Sequence, residues 1–306
     1  MKRTSYTVKT LAAVAPALLL LLSSLQGCTE RLETGTAGDL LAIKASLSGT
    51  RATLIDNANL GSFTCSAYRT QDGTALFEGK TVSKTTGNQW TIEGGKRYWW
   101  KSGESLSFYA VYPQNQTGIT KDGITVSGYT VPATADQQQD ILLGSYTGTG
   151  NAGVAPIAFV HALTALTVTK GNIESSIPGF TAVTSISVDG LYAGGSVSNW
   201  TGGAAVSWTG SGSTSFSPSF GDVLTLIPQD LTAKNVTVTV AYSAASGDSS
   251  IQATISTGAF EAGKVNNITV NYNSVEVTYG TSSITVPAYG TTGSNEEVDT
   301  QEQKQN

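Results

Sequence analysis

Apolar and polar residues alternate along most of this chain, and that period of two constrains its fold more than any other feature. The alternation is clear at residues 41–47, 106–112, 163–169, 236–242 and 268–272. Side chains on a β-strand point to opposite faces in turn, so this pattern is typical of strands with one buried face. Turn-forming stretches such as residues 71–73 and 121–123 separate the segments, and no window carries a sustained helical repeat. The sequence therefore predicts an all-β chain built as sandwiches.

The domain organisation follows from where strands and turn-rich stretches fall. A polar stretch, a short strand and a Gly-rich stretch precede a fresh strand, which predicts a boundary near residue 150. We expect two tandem β-sandwich domains, at residues 39–150 and 151–289, each of ordinary domain size. Residues 28–38 are interpreted as a tether. Residues 290–306 are polar and are interpreted as a disordered tail.

The N-terminal segment has the pattern of a lipoprotein signal peptide. Lys2, Arg3 and Lys9 precede an apolar run at residues 11–25, which is too short for a permanent spanning helix. A glycine and then Cys28 follow. We expect residues 1–27 to be removed and Cys28 to become the lipid-bearing first residue. The alternative is an ordinary secretory peptide with an incidental cysteine, and in either case the protein leaves the cytoplasm.

Charge and residue usage exclude several function classes. Of 17 basic residues three lie in the signal peptide, so the mature chain has 14 against 22 acidic residues, a net charge of −8. That balance argues against nucleic acid and against electrostatic binding to anionic lipid. With Cys28 lipidated, Cys65 has no partner for a disulfide and is interpreted as a small core residue. His161 is the single histidine, which argues against a metal cluster or catalytic triad and favours a hydrogen bond to a neighbouring loop. We predict no cofactor, no metal and no catalytic residue.

Four sequence blocks, in order, resemble the fimbrillin family of type V pilus subunits. They are FYAVYP at residues 108–113, QDILLG at 139–144, AFVHALTALTV at 158–168 and AFEAGK at 259–264. The resemblance covers nearly the whole mature chain. It implies two transthyretin-like β-sandwich domains, export as a lipoprotein to the outer membrane, and assembly with other pilus subunits on the cell surface.

The resemblance also implies a mode of assembly. In fimbrillins a protease cuts after a basic residue just beyond the first strand, and the vacated groove accepts a strand from the next subunit. Here the matching bond is Arg51–Ala52, which makes residues 39–51 the removable strand. A C-terminal extension from about residue 274 would supply the donor, with Ile284, Val286 and Ala288 as its apolar side chains.

Pro287 lacks an N–H group and complicates that choice of donor. The sequence leaves a second donor open, in which Val275, Val277 and Tyr279 enter the groove instead.

Other function classes remain as alternatives to a polymerising subunit. A tip adhesin or anchor lipoprotein could bind a host glycan or protein, and Trp99 and Trp100 are candidates for stacking on a sugar ring. The plainer interpretation is that the tryptophans fill the cores of the sandwiches. An enzyme is disfavoured because the sequence shows no nucleophile elbow, phosphate-binding loop or calcium loop.

Overall fold

The computed structural model describes residues 38–47, 55–56, 58–86, 89–113, 117–150, 153–232, 234–279 and 282–292. Within these residues the secondary structure is dominated by short β-strands, with one four-residue helix, α1 (Ile173–Ser176), and two 3-10 turns. The prediction of an all-β sandwich fold is confirmed.

The strands, in chain order, are β1 Gly38–Leu40, β2 Ala42–Leu47, β3 Ser62–Arg69, β4 Ala75–Lys84, β5 Trp90–Ile92, β6 Trp99–Lys101, β7 Ser105–Tyr112, β8 Thr117–Thr120, β9 Gly123–Thr130, β10 Leu142–Thr149, β11 Val154–His161, β12 Thr164–Lys170, β13 Phe180–Leu191, β14 Gly194–Trp200, β15 Thr209–Ser211, β16 Thr214–Phe216, β17 Val223–Leu226, β18 Gln229–Asp230, β19 Val236–Ala244, β20 Gly247–Ile255, β21 Ala259–Phe260, β22 Val265–Val270, β23 Ser274–Tyr279, β24 Ser282–Pro287 and β25 Tyr289–Thr292.

In the described residues these strands form four larger sheets and two small ones. The largest has seven strands in the order β2-β11-β10-β7-β3-β4-β5. Two five-stranded sheets have the orders β17-β12-β22-β23-β24 and β16-β13-β19-β20-β25, and a four-stranded sheet has the order β15-β14-β9-β8. The pairs β1-β6 and β18-β21 complete the set.

Two apolar cores organise these sheets. The N-terminal core contains side chains from β2, β3, β7 and β11, among them Phe63, Phe108 and Phe159. The C-terminal core contains buried side chains of both five-stranded sheets together with residues of β9 and β14. A shared core between facing sheets is the arrangement of a β-sandwich.

β7 explains why one sequence block is apolar at every position. Its even-numbered residues Leu106, Phe108 and Ala110 lie in the N-terminal core, whereas Tyr109 and Val111 lie in the C-terminal core. Successive side chains of a strand point to opposite faces, so a strand covered on both faces carries a continuous apolar run. The seven-stranded sheet therefore contributes to both cores.

The structure gives a physical setting for the predicted domain boundary near residue 150. β10 and β11, which precede and follow that point, pair antiparallel in one sheet, with Leu142 opposite His161. Among the described residues, the last buried side chain of the N-terminal core is Phe159, whereas the C-terminal core also takes side chains from before the boundary, such as Ile124 and Leu143. The N-terminal core thus ends with β11, while the division into two domains stays a prediction.

The predicted C-terminal tail begins in ordered structure. The backbone of β25 pairs antiparallel with β20, with Gly290 opposite Ile251 and Thr292 opposite Ser249. Residues 290–292 therefore form a strand, and a tail can start only after them. Apolar and polar residues do not alternate at these positions, so no pattern indicated a strand there.

Candidate functional site

The predicted removable strand lies at the edge of the seven-stranded sheet. Within the part of the chain that the structure describes, β2 pairs with β11 alone, in parallel, from Ala42 opposite Val154 to Leu47 opposite Phe159. Leu41, Ile43 and Leu47 are buried and belong to the N-terminal core, and the intervening Lys44 is exposed. The alternation predicted for this strand is therefore present, and its apolar face closes one side of the core.

β1, which precedes β2, pairs with a different strand, β6. It pairs antiparallel with β6, so that Leu40 lies opposite Trp99, and the Leu41 N–H donates to the Tyr98 carbonyl at 2.9 Å. Gly153 lies against β1 and has a φ of +62°, and a Cβ at residue 153 would lie 2.7 Å from the Asp39 Cβ. Only glycine tolerates both that conformation and that approach. The Gly-rich stretch at the predicted boundary near residue 150 therefore ends in a glycine, Gly153, that lies against the first strand.

The lipidation and cleavage residues lie outside the part of the chain that the structure describes. Cys28 falls in residues 1–37, and Arg51 and Ala52 fall in residues 48–54. Their roles stay predictions from the sequence.

The two candidate donor strands differ in how firmly they are held. β23 lies between β22 and β24, and its Val275 and Val277 are fully buried. Tyr279 donates its hydroxyl to the Thr257 carbonyl at 2.6 Å, and burial raises its pKa to about 12. β24 is an edge strand, paired with β23 alone.

The predicted donor side chains lie on one face of this edge. Ile284, Val286 and Ala288 are half-buried and pack against the C-terminal core, while Thr285 and Pro287 are exposed. The structure thus places the apolar set together, with less burial than the alternative set on β23.

The two tryptophans proposed for ligand stacking do not lie in equivalent environments. Trp99 is 60% exposed, opposite the exposed Leu40. Trp100 is 1% exposed, donates its indole N–H to the Glu104 carbonyl at 2.8 Å and contacts Phe108 edge to face. Trp100 is therefore a core residue with no free ring face, which corrects its assignment as a ligand residue.

The other tryptophans follow the plainer interpretation. Trp200 is buried and Trp208 half-buried, and their indole N–H groups donate to the carbonyls of Ala204 and Ala162. Trp90 is half-buried and its ring lies 5.0 Å from that of Phe63.

A buried polar pair joins two of the sequence blocks. His161 ends β11, and its Nδ1 is hydrogen-bonded to Oδ2 of Asp140, which lies in the loop before β10. Both side chains are almost fully buried. The loop contact expected for His161 is thus present, but the sequence analysis did not identify Asp140 as its partner. The signal was available, because a carboxylate directly before an apolar strand needs a partner when it is buried.

Other features bear on the remaining function classes. Among the described residues, no group of three or more His, Cys, Asp or Glu side chains is placed to hold a metal ion. Cys65 is buried, and burial raises the pKa of its thiol, which disfavours the reactive thiolate. In the same part of the chain, no helix is both long and apolar enough to cross a membrane.

Comparison with known proteins places the chain in a family. Among solved structures, a candidate cell adhesion protein from Bacteroides ovatus has a TM-score of 0.55 and 16% identity, over 85% of this chain and 100% of its own. Another from Bacteroides uniformis has a TM-score of 0.54 and 18% identity, over 80% of this chain and 98% of its own. At these identities they show a shared fold. No curated protein sequence matches the chain. A family model described as fimbrillin-like matches residues 50–286, which is more than half of the sequence, and the chain therefore belongs to the fimbrillin-like family.

Proposed function

We propose that this protein is a structural subunit of a cell-surface pilus that polymerises by exchange of its first strand. In this proposal Cys28 carries lipid on the precursor at the outer membrane, and a protease cuts between Arg51 and Ala52. The C-terminal strand of the next subunit then takes the place of β1 and β2. Membership of the fimbrillin-like family supports assembly with other pilus subunits. No catalytic step of the protein's own is needed.

The observation that carries the proposal is the position of β2. Ile43 and Leu47 of β2, with Leu41 just before it, fill the N-terminal core, yet among the described residues the ladder of β2 contacts only β11. Burying three such side chains contributes roughly 5–8 kcal/mol. That is comparable with the whole stability of a typical domain, about 5–15 kcal/mol. A strand cut at Arg51 would therefore be retained until another apolar strand replaced it, which couples its loss to subunit addition.

The donor in this proposal is β24 with the residues that follow it. Release of this donor breaks the ladder between β24 and β23 and the ladder between β25 and β20, but the apolar side chains that β24 exposes are only half-buried. Release of β23 would break two ladders and expose the fully buried Val275 and Val277. The lower cost of release favours Ile284, Val286 and Ala288 as the exchanged set over the alternative on β23.

The test is the N-terminal sequence and oligomeric state of the protein taken from its native cell surface. We expect an N-terminus at Ala52 in SDS-resistant ladders. Arg51→Ala should leave a lipidated Cys28 terminus and no ladders, whereas Arg97→Ala, which removes an exposed arginine elsewhere, should polymerise normally. Ladders formed by the Arg51→Ala variant with an intact N-terminus would refute cleavage-dependent exchange.

One observation favours a second function, adhesion to a glycan or host protein by a tip or anchor subunit. Trp99 exposes an indole next to Leu40, and such a face can stack on a sugar ring. On this alternative, Trp99→Ala abolishes binding to a glycan array and leaves the free energy of unfolding within about 0.5 kcal/mol of wild type. Equal array binding by Trp99→Ala and wild type would exclude a role for this residue.

A further inference from the structure

We propose that the incoming donor strand runs antiparallel to β11, opposite in direction to the β2 strand that it replaces. This inference rests on the proposed strand exchange and adds the orientation of the partner, a second copy of this chain. It follows from which backbone groups of β11 face the groove and from the position of Pro287 in the donor.

The groove presents the backbone groups of the odd-numbered residues of β11. In the parallel ladder the Ala42 N–H donates to the Gly153 carbonyl at 2.6 Å, with Ala42 opposite Val154. In this hydrogen-bonding register the N–H and carbonyl groups of Ala155, Ile157 and Phe159 point toward β2. On the other edge the Ala162 N–H donates to Ile141, so even-numbered positions face β10.

The same three residues of β11 point their side chains into the core. Ala155, Ile157 and Phe159 are fully buried in the N-terminal core, whereas Pro156 and Ala158 are exposed. In an antiparallel ladder two bonded residues face each other and share a face of the sheet. An incoming donor strand that ran antiparallel to β11 would therefore bond to β11 through its inward-facing residues.

An incoming donor strand that ran parallel to β11 would bond through its outward-facing residues. β2 itself does so, since the bonding residue Ala42 is exposed and the buried Leu41 and Ile43 alternate with it. If Ile284, Val286 and Ala288 entered the groove in that direction, Thr285 and Pro287 would have to donate to β11. Pro287 has no N–H, and its ring would face a carbonyl that loses its partner. Sliding the strand until Pro287 cleared β11 would also move apolar side chains out of the groove.

In its own subunit β24 already shows the pairing that an antiparallel donor strand needs. It runs antiparallel to β23 with Val286 opposite Val275, and the Ala288 N–H donates to the Asn273 carbonyl at 3.0 Å. The even-numbered residues Ile284, Val286 and Ala288 thus carry both the ladder bonds and the half-buried side chains. Pro287 lies at a position whose backbone faces the free edge. In antiparallel insertion the even-numbered residues still carry the ladder bonds and the core-facing side chains, and Pro287 still faces the free edge. The pairing partner changes from β23 to β11 of the next subunit.

Antiparallel insertion also determines what the polymer exposes. The inserted donor strand becomes the new edge of the seven-stranded sheet, and Pro287 interrupts the row of N–H groups along that edge. Proline on an edge strand limits pairing with further strands. The direction of insertion would therefore protect each junction from lateral association.

The test is disulfide crosslinking inside polymers that are purified from the cell surface. One cysteine replaces a donor residue on the outward face, either Ser283→Cys or Thr285→Cys. The second replaces, in turn, each even-numbered residue of β11, which are Val154, Pro156, Ala158 and Val160. Outward residues of an antiparallel pair are non-hydrogen-bonded neighbours with Cα atoms about 4.5 Å apart, a separation that a disulfide spans. The native Cys65 is fully buried and stays in place.

The readout is independent of the exact register. Moving the donor cysteine from Thr285 to Ser283 should move the crosslinked β11 position two residues toward His161. A shift of two residues toward Val154 would show parallel insertion and overturn the inference, with strand exchange intact. Polymers without any crosslink to β11 would overturn it as well.

A control separates this result from the failure of exchange itself. The same cysteine pairs in an Arg51→Ala background should give no intermolecular crosslink on heated, non-reducing gels, because the groove stays filled. If the parent protein without the introduced cysteines forms no SDS-resistant polymer, the proposed function fails and the inference fails with it.

Discussion

At the scale of single residues, the contact between Asp140 and His161 connects two distant stretches of sequence. Asp140 lies in the loop before β10, and His161 ends β11, two residues after Phe159 of the N-terminal core. A buried hydrogen bond fixes both the loop and the end of the strand. The pair has a structural explanation that needs no chemistry.

We expect Asp140→Ala to lower the free energy of unfolding by about 2–4 kcal/mol, because it leaves the buried His161 ring without its acceptor. Asp136→Ala, in the same loop but exposed, should change it by less than about 0.5 kcal/mol. Urea denaturation of the soluble protein, followed by tryptophan fluorescence, measures both. Equal stability of the two variants would contradict a structural role for the pair.

Tyr129 gives a prediction about alkaline pH. Burial, with a smaller effect of the Asp140 carboxylate, raises its pKa to about 12, and its hydroxyl has no hydrogen-bond partner among the described residues. A phenol with a raised folded pKa contributes stability that is complete below about pH 10 and is lost as pH rises toward 12.

Tyr129→Phe should therefore lose stability less steeply between about pH 10 and 12. At pH 7 it should be neutral or stabilised by on the order of 1 kcal/mol, since a buried hydroxyl without a partner is removed. The measurement is thermal unfolding across that pH range, with Tyr272→Phe at an exposed position as control. The same alkaline slope in Tyr129→Phe and wild type would show that the pKa of Tyr129 is the same in the folded and unfolded states, which contradicts the prediction.

At the scale of elements, β2 is part of the precursor's core but absent from the proposed mature subunit. Ile43→Ala should therefore lower the precursor's free energy of unfolding by about 2–4 kcal/mol, through lost burial and a cavity. It should leave the stability of cleaved polymers unchanged, because residue 43 has been removed from them. Lys44→Ala, exposed on the same strand, should affect neither form. Polymers destabilised by Ile43→Ala would mean that β2 remains in the assembled subunit.

The elements also show what a sequence can and cannot reveal. Alternation located β2, β12 and β19, because apolar and polar residues alternate along a strand with one buried face. It did not reveal that β1 pairs with β6 or that Gly153 underlies the first strand, because those contacts join positions far apart in the chain. Likewise Trp99 and Trp100 are identical residues in sequence, and only the packing around Phe108 separates the exposed one from the buried one.

At the scale of the whole molecule, the seven-stranded sheet links assembly to folding. One face of the sheet, with β2 at its edge, closes the N-terminal core, and the other contributes Tyr109 and Val111 to the C-terminal core. An empty groove would therefore weaken the sheet on which both cores rest. A subunit that has lost β2 and has not yet gained a donor strand should be the least stable form of the protein.

This gives a prediction for a subunit that starts at Ala52, and so lacks β2, and that also lacks residues 280–306. A synthetic peptide of residues 282–292 should bind its groove and raise its free energy of unfolding by about 2.7 kcal/mol at a peptide concentration 100 times Kd, because the peptide binds the folded form alone. The same truncation with β1 and β2 retained is the control, because it offers the peptide the free edges of β23 and β20 but no open groove. A peptide with Ile284→Asp and Val286→Asp should have no effect, since charged side chains cannot fill an apolar groove. Calorimetric titration and thermal unfolding measure binding and stability together. Equal stabilisation by the two peptides would show that the apolar side chains of β24 do not fill the groove. If neither peptide stabilised the subunit, β24 would not be the donor strand.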